Sequence, residues 1–348
     1  MATKPKVTLD KSHIVELFCQ STNYTVFDAK WVPTSARFIV AGNTPTKGTL
    51  RMFTMNGEGH RVTSISEAFH VETEFQLKCA TFGAADPILR QPAVGDFGGN
   101  LIVFDLETQK PIFSQKIHGD IINGIDGAGA PGPAEFITGS RDGTVNVSDI
   151  RCESPVVASL VPDNKRDCWA VATGGTTGPD NRSVVAGFDN GEVKLWDIRA
   201  GSVSWETNIR NGVVSLDLGE RTKPLKHLLC GCLTGSLVTF DLSEKIEGKG
   251  YRSHQQKSGK DASTVWVAKH LPQMPSIIAT SGAGGEIVVW KRDADLKLER
   301  ITSSKLTSQP ISGFDWHPDL PGLCVMTAYD QTVRVGYVTQ LIKKKGSK

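Results

Sequence analysis

SVVAGFDNGEVKLWDIR, from Ser183 to Arg199, is the stretch on which the fold turns. Small and apolar residues from Val184 to Gly187 suit a buried strand, Asp189-Asn190-Gly191 is a tight-turn signal, and Val193, Leu195 and Trp196 begin a returning strand. The stretch reads as a β-hairpin. EFITGSRDGTVNVSDIR, from Glu135 to Arg151, lies 48 residues earlier and sets Gly139 against Gly187, Gly143 against Gly191, and Asp149-Ile150-Arg151 against Asp197-Ile198-Arg199. Two such hairpins at this spacing mark a repeat protein.

Laid along the chain, the Trp196 position recurs at Phe53, Phe104, Ser148, Phe240, Trp290 and Gly336, at intervals of 51, 44, 48, 44, 50 and 46 residues. Repeats of this length, each ending in a strand with an aromatic residue and often an Asp after it, are the pattern of four-stranded propeller blades. Seven units fill the chain, which predicts an all-β, seven-bladed β-propeller as a single unit over residues 1–342 and a basic tail at 343–348. The last repeat ends after its third strand. HIVELFC, from His13 to Cys19, precedes the first repeat and has strand composition, so it is expected to complete the last blade and close the ring.

Bulk properties narrow the function. Thirty-nine Lys and Arg against 37 Asp and Glu leave a net charge of +2, and the charges are scattered. No broad field would steer the chain to nucleic acid or to an anionic membrane, so neither is expected as a partner. Lys343-Lys344-Lys345 with Lys348 is read as a solvated end. Seven cysteines form an odd, scattered set and no secretory apolar stretch follows Met1, so free thiols in a reducing, intracellular compartment are expected. Cys230-Gly231-Cys232 lacks further ligands at zinc-finger spacing and is read as small core residues. No apolar run approaches membrane-spanning length.

DGTVNVSDI (Asp142–Ile150) and NGEVKLWDI (Asn190–Ile198) resemble WD40 repeats, in which a turn Asp, a His, a Ser or Thr and the Trp form a buried hydrogen-bonded cluster. No blade has the whole set. The third has His118, Ser140 and Asp142 but Ser148 in place of Trp, and the fourth has Trp196 but Asn190 for the turn Asp. Longer stretches resemble one WD-repeat family, the dynein axonemal assembly factors. They are NYTVFDAKWVP from Asn23, CATFGA from Cys79, GDFGGNL from Gly95, ITGSRDGTV from Ile137, NKRDCWAVA from Asn164, WETNIRNGV from Trp205, STVWVAKHLPQ from Ser263 and DQTVRV from Asp330. The linkers at 127–133, 174–181 and 244–260 depart from that family, and 244–260, polar and rich in Lys, Gly, Ser and Gln, is expected to be a mobile surface loop.

This resemblance implies a monomeric, non-enzymatic adaptor in the cytoplasm, and in the cilium or flagellum. Its implied partners are axonemal dynein chains and a co-chaperone assembly of RuvB-like ATPases and prefoldin-like subunits. The alternative is a generic WD-repeat scaffold in signalling or chromatin complexes.

No cofactor or catalytic site is written in the chain. Gly127-Ala128-Gly129-Ala130-Pro131-Gly132 has the letters of a dinucleotide-binding loop, but Pro131 and Pro133 lead into a strand rather than a helix. No phosphate-binding loop, H-E-x-x-H or G-x-S-x-G occurs. What remains is surface. The turn position of Asp189 recurs as Phe97, Arg141, Leu233, Ala283 and Tyr329, all expected on one rim. A purely structural turn favours Gly, Asn or Asp there, whereas Phe97, Arg141 and Tyr329 are anchors of the kind enriched in binding hot spots. With Arg166 and Asp189 they form the candidate protein-binding rim; scattered turn-tip side chains with no common role remain the alternative. Trp169, Trp266 and Trp316 are read as packing residues of inner strands.

Overall fold

The computed structural model describes residues 11–58, 61–84, 88–127, 134–175, 182–221, 224–259 and 262–341. The template folds as its pattern dictates: Ser183–Phe188 and Glu192–Asp197 pair antiparallel, with Val184 opposite Trp196 and Val185 opposite Leu195. The turn closes where the Gly191 N–H donates to the Phe188 carbonyl at 3.1 Å. Gly191 sits at φ +87°, in the left-handed region that glycine adopts without a steric penalty. Gly99, Gly143, Gly235 and Gly285 repeat this geometry, and in the last repeat Gln331 takes it at φ +60°, where a side chain costs about 1–2 kcal/mol.

Seven four-stranded antiparallel sheets result. Six are built from consecutive strands. The seventh has the spatial order Ile14–Ser21, Thr332–Val338, Leu323–Ala328, Ile311–Trp316, so the N-terminal strand is the outer strand of the last blade, as HIVELFC predicts. Ile14 pairs with Val338 and Ser21 with Thr332. Arg334 fastens the join, donating to Glu16 at 2.5 Å and to Asp330 at 3.0 Å. Closure covers what would otherwise be an exposed strand edge in the last blade.

Between blades, apolar faces pack sheet on sheet. Ala172, Val185, Leu195 and Trp205 of the fourth blade form one buried cluster with Leu216, Leu228, Cys230 and Phe240 of the fifth. The repeated glycine explains how neighbouring sheets approach so closely at the channel. A Cβ on Gly187 would lie 2.5 Å from the Val213 side chain, one on Gly139 would lie 2.6 Å from the Cys168 sulfur, and one on Gly95 would lie 2.5 Å from Ile122. Each neighbour belongs to the next blade's innermost strand. Cys230, Cys232 and Trp316 lie in the core as expected, and all seven cysteines are free.

Most of the stretch 244–259 is strand and not loop. Ser236–Ile246 and Gly250–Lys257 are the third and outer strands of the fifth blade. An outer blade strand is largely solvated, so it needs few apolar residues and its sequence resembles a linker; Tyr251 alone turns onto Trp205, with ring centroids 5.1 Å apart. Residues 128–133, 176–181 and the tail at 343–348 lie outside the described residues.

The third blade builds most of a WD cluster without the Trp. His118 Nδ1 is 3.1 Å from Asp142 and Nε2 is 2.9 Å from Thr138, so Thr138 rather than Ser140 meets the ring. In the sixth blade the Trp290 indole donates to Thr280 at 2.9 Å.

Candidate functional site

Each blade's innermost strand has the same irregularity. The residue just ahead of it is buried and apolar: Val26, Leu77, Ile122, Cys168, Val213, Val265 or Ile311. The register then slips by one residue. A bulge re-aims the side chain it carries. Here it turns Phe27, Lys78, Asn123, Trp169, Val214, Trp266 and Ser312 into one mouth of the central channel, around a cavity of about 390 Å³ that Leu233 and Tyr329 also line.

The turn residues stand on the same face. Phe97, Arg141, Asp189, Leu233, Ala283 and Tyr329 each donate their N–H to a carbonyl just ahead of the innermost strand: Gln76, Ile121, Asp167, Gly212, Thr264 and Pro310, at 2.9–3.0 Å. The repeat therefore does set these residues on a common rim. Only some of them meet. Phe97 and Tyr329 are half-buried and both pack at steep ring angles against one residue, Phe27, at 6.0 and 5.8 Å, while Tyr329 also reaches Trp266 at 6.5 Å. Arg141 and Arg166 are exposed, Arg141 lying 3.6 Å from Asp167. Asp189 is half-buried, and its Oδ1 has no hydrogen-bond partner among the described residues.

Two packing assignments need correction. Trp169 and Trp266 are half-buried and line the mouth instead of the core. Inner-strand tryptophans were expected to pack, but the bulge rotates them out of the sheet-to-sheet interface. Trp169 covers Gly212 instead, where a Cβ would come within 2.8 Å of the ring. A sequence signal for this exists. The column Phe27, Lys78, Asn123, Trp169, Val214, Trp266, Ser312 has no common chemical character, whereas the column just before it is apolar throughout.

Three residues further along the strands the channel wall becomes ionic. Asp126 accepts the Thr173 N–H at 3.0 Å, Asp217 the His270 N–H at 2.7 Å and Asp315 the Trp31 N–H at 3.0 Å, so each ties its blade to the next. Asp28 makes a similar tie to Ala80 at 3.0 Å. Arg221, which lines a cavity of about 580 Å³ at the opposite opening, reaches from the fifth blade to Asp126 of the third at 2.7 Å. Burial pushes the Asp217 carboxyl up, but Lys269, the His270 hydrogen bonds and Arg221 together outweigh it and hold the group well below the usual carboxylate range. Burial raises Asp315 despite Lys30 and Lys269. Among the described residues no group of three or more His, Cys, Asp or Glu is placed to hold a metal ion, and no helix is long and apolar enough to cross a membrane.

No family model matches the chain. Individual proteins do. It is 41% identical to dynein axonemal assembly factor 10 of Xenopus laevis over 359 aligned positions, covering 96% of this chain and 98% of that protein. The protein of that name in Homo sapiens is 39% identical and the one in Chlamydomonas reinhardtii 35%, each alignment covering 96% of this chain and 99% of the relative. The chain belongs to the dynein axonemal assembly factor 10 family. The short stretches that resemble the dynein assembly factors thus sample a likeness running almost end to end. Several of them carry the mouth and rim of this family member: Phe27 in NYTVFDAKWVP, Phe97 in GDFGGNL, Arg141 in ITGSRDGTV, Arg166 and Trp169 in NKRDCWAVA, and Trp266 in STVWVAKHLPQ.

Proposed function

We propose that this chain acts as one seven-bladed, non-enzymatic adaptor in the cytoplasmic preassembly of axonemal dyneins. It holds dynein chains to a co-chaperone assembly of RuvB-like ATPases and prefoldin-like subunits. The observation that carries the reading is the near full-length identity to dynein axonemal assembly factor 10 of Xenopus laevis, 41% over 96% of the chain. Two features of the fold support it. The channel carboxylates Asp28, Asp126, Asp217 and Asp315 are engaged in tying blades together. The bulged and turn residues instead present aromatic and basic side chains on one face of a rigid ring, where binding residues tend to sit. Phe97, Arg141, Arg166, Asp189 and Tyr329 are proposed as partner contacts on that rim.

Depleting the protein from ciliated or flagellated cells tests this. Growth stays largely intact while axonemal dynein heavy chains fall and motility declines. Normal axonemal dynein content after complete loss rejects the reading, and co-purification with histones or signalling proteins would favour the generic scaffold instead.

A further inference from the structure

The mouth of the channel presents a cation that no anion among the described residues receives. Lys78 lies with its ammonium 4.6 Å from the centroid of the Phe27 ring, and burial pushes its pKa down. No carboxylate of the described residues pairs with it. Asp28, the carboxylate that acts on it most, is already taken by the N–H groups of Ala29 and Ala80 and by Lys30. Across the mouth, in the sixth blade, the Trp266 ring lines the same cavity. An unpaired ammonium beside an apolar cavity calls for an acceptor, and for a negatively charged one. Around that cavity Trp266, Tyr329 and Leu233 offer apolar surface, Leu233 being 42% exposed.

From this, and resting on the adaptor reading above, we propose that the mouth is a docking site for an extended acidic peptide segment of a partner protein. An internal Asp or Glu meets Lys78, and a neighbouring apolar side chain packs on Trp266, Tyr329 and Leu233. The carboxylate comes from a side chain and not from a chain terminus, because terminal carboxylates are captured by nests of free backbone N–H groups. At this rim the turn N–H groups are already spent on the carbonyls ahead of the innermost strands. The segment is extended because its contacts, Lys78 of the second blade and Trp266 of the sixth, lie across the mouth from each other, and an extended chain, at about 3.3 Å per residue, covers that width in the fewest residues.

The test is selection from a displayed random dodecapeptide library, with both peptide ends blocked by fusion, on the purified full-length protein. Expected is enrichment of Asp or Glu next to a Leu, Ile, Phe or Met. The enriched peptide, synthesised with blocked ends, then loses at least about tenfold in Kd when its acidic residue becomes Gln, the loss expected for one charge-assisted hydrogen bond. Lys78→Gln reproduces that loss, and Trp266→Ala, which removes apolar surface from the mouth, weakens binding several-fold. The Glu→Gln peptide measured on the unaltered protein decides the matter should Lys78→Gln fail to fold. No enrichment, enrichment of basic peptides, or a selected peptide indifferent to both changes overturns the proposal. Because the selection uses neither dyneins nor cells, it can fail while the dynein reading stands, and the reverse.

Discussion

Asp217→Asn tests whether the ionic belt of the channel holds the ring together. Asp217 is 4% exposed and accepts from the His270 N–H at 2.7 Å and from its Nδ1 at 2.8 Å, with Arg221 at 3.3 Å and Lys269 at 3.4 Å. The asparagine keeps the shape and one acceptor but removes the charge that Lys269 faces. Breaking a buried ion pair on one side costs about 3–5 kcal/mol. The lower end applies here, since Lys269 and Arg221 are 25% and 30% exposed and Arg221 keeps Asp126. An unfolding entropy of about 2.1 cal/mol/K per residue comes to roughly 0.7 kcal/mol/K for a chain of this length, so about 3 kcal/mol lowers Tm by about 4 °C at pH 7. The pH dependence gives a second, independent readout. The folded carboxyl is held below its unfolded value, so its stabilisation is complete above about pH 4 and is lost as pH falls toward the folded value. The gap between the two proteins in scanning calorimetry therefore narrows between pH 4 and pH 3. A variant melting within 1 °C of the parent at pH 7, or a gap that stays constant down to pH 3, would refute the reasoning.

Three further outcomes are expected. Removing residues 1–21 strips the outer strand from the last blade and uncovers the edge of Thr332–Val338, lowering Tm by several degrees and causing aggregation visible by light scattering; unchanged melting and solubility would mean the strand contributes nothing to closure. Gly187→Ala drives a methyl against Val213 at 2.5 Å and should cost about 1–3 kcal/mol by chemical denaturation. Gly284→Ala, whose Cβ meets nothing nearer than 3.6 Å, serves as its control, and equal effects would show that blade spacing does not depend on the repeated glycine. Arg141→Ala with Arg166→Ala removes two exposed side chains and should leave Tm within about 1 °C while weakening co-purification of partners. Phe97→Ala and Tyr329→Ala are separate tests, because both rings pack on Phe27 and their loss also lowers stability.

Turn chemistry and apolar patterning act over a few residues, and for that reason they were readable without a structure. Asp189-Asn190-Gly191 and its repeats define the hairpins, Gly187 and its counterparts are where blades touch, and HIVELFC carries the composition of a strand short of a partner. Counting the repeats gives seven blades, and the missing last strand tells where that partner is. The mouth of the channel is different in kind. Whether Trp169 or Trp266 packs or faces the opening depends on one bulge in each innermost strand, and a bulge turns a side chain through the sheet without changing its identity or spacing. The outer strand Gly250–Lys257 escaped for the opposite reason: solvated along most of its length, it needs no apolar alternation, and only pairing with Ser236–Ile246 makes it a strand. The belt of Asp126, Asp217 and Asp315 is nonlocal in the same way, since the carboxylates find their backbone partners 47, 53 and 284 residues away in the chain, across blade boundaries that exist only in the folded ring.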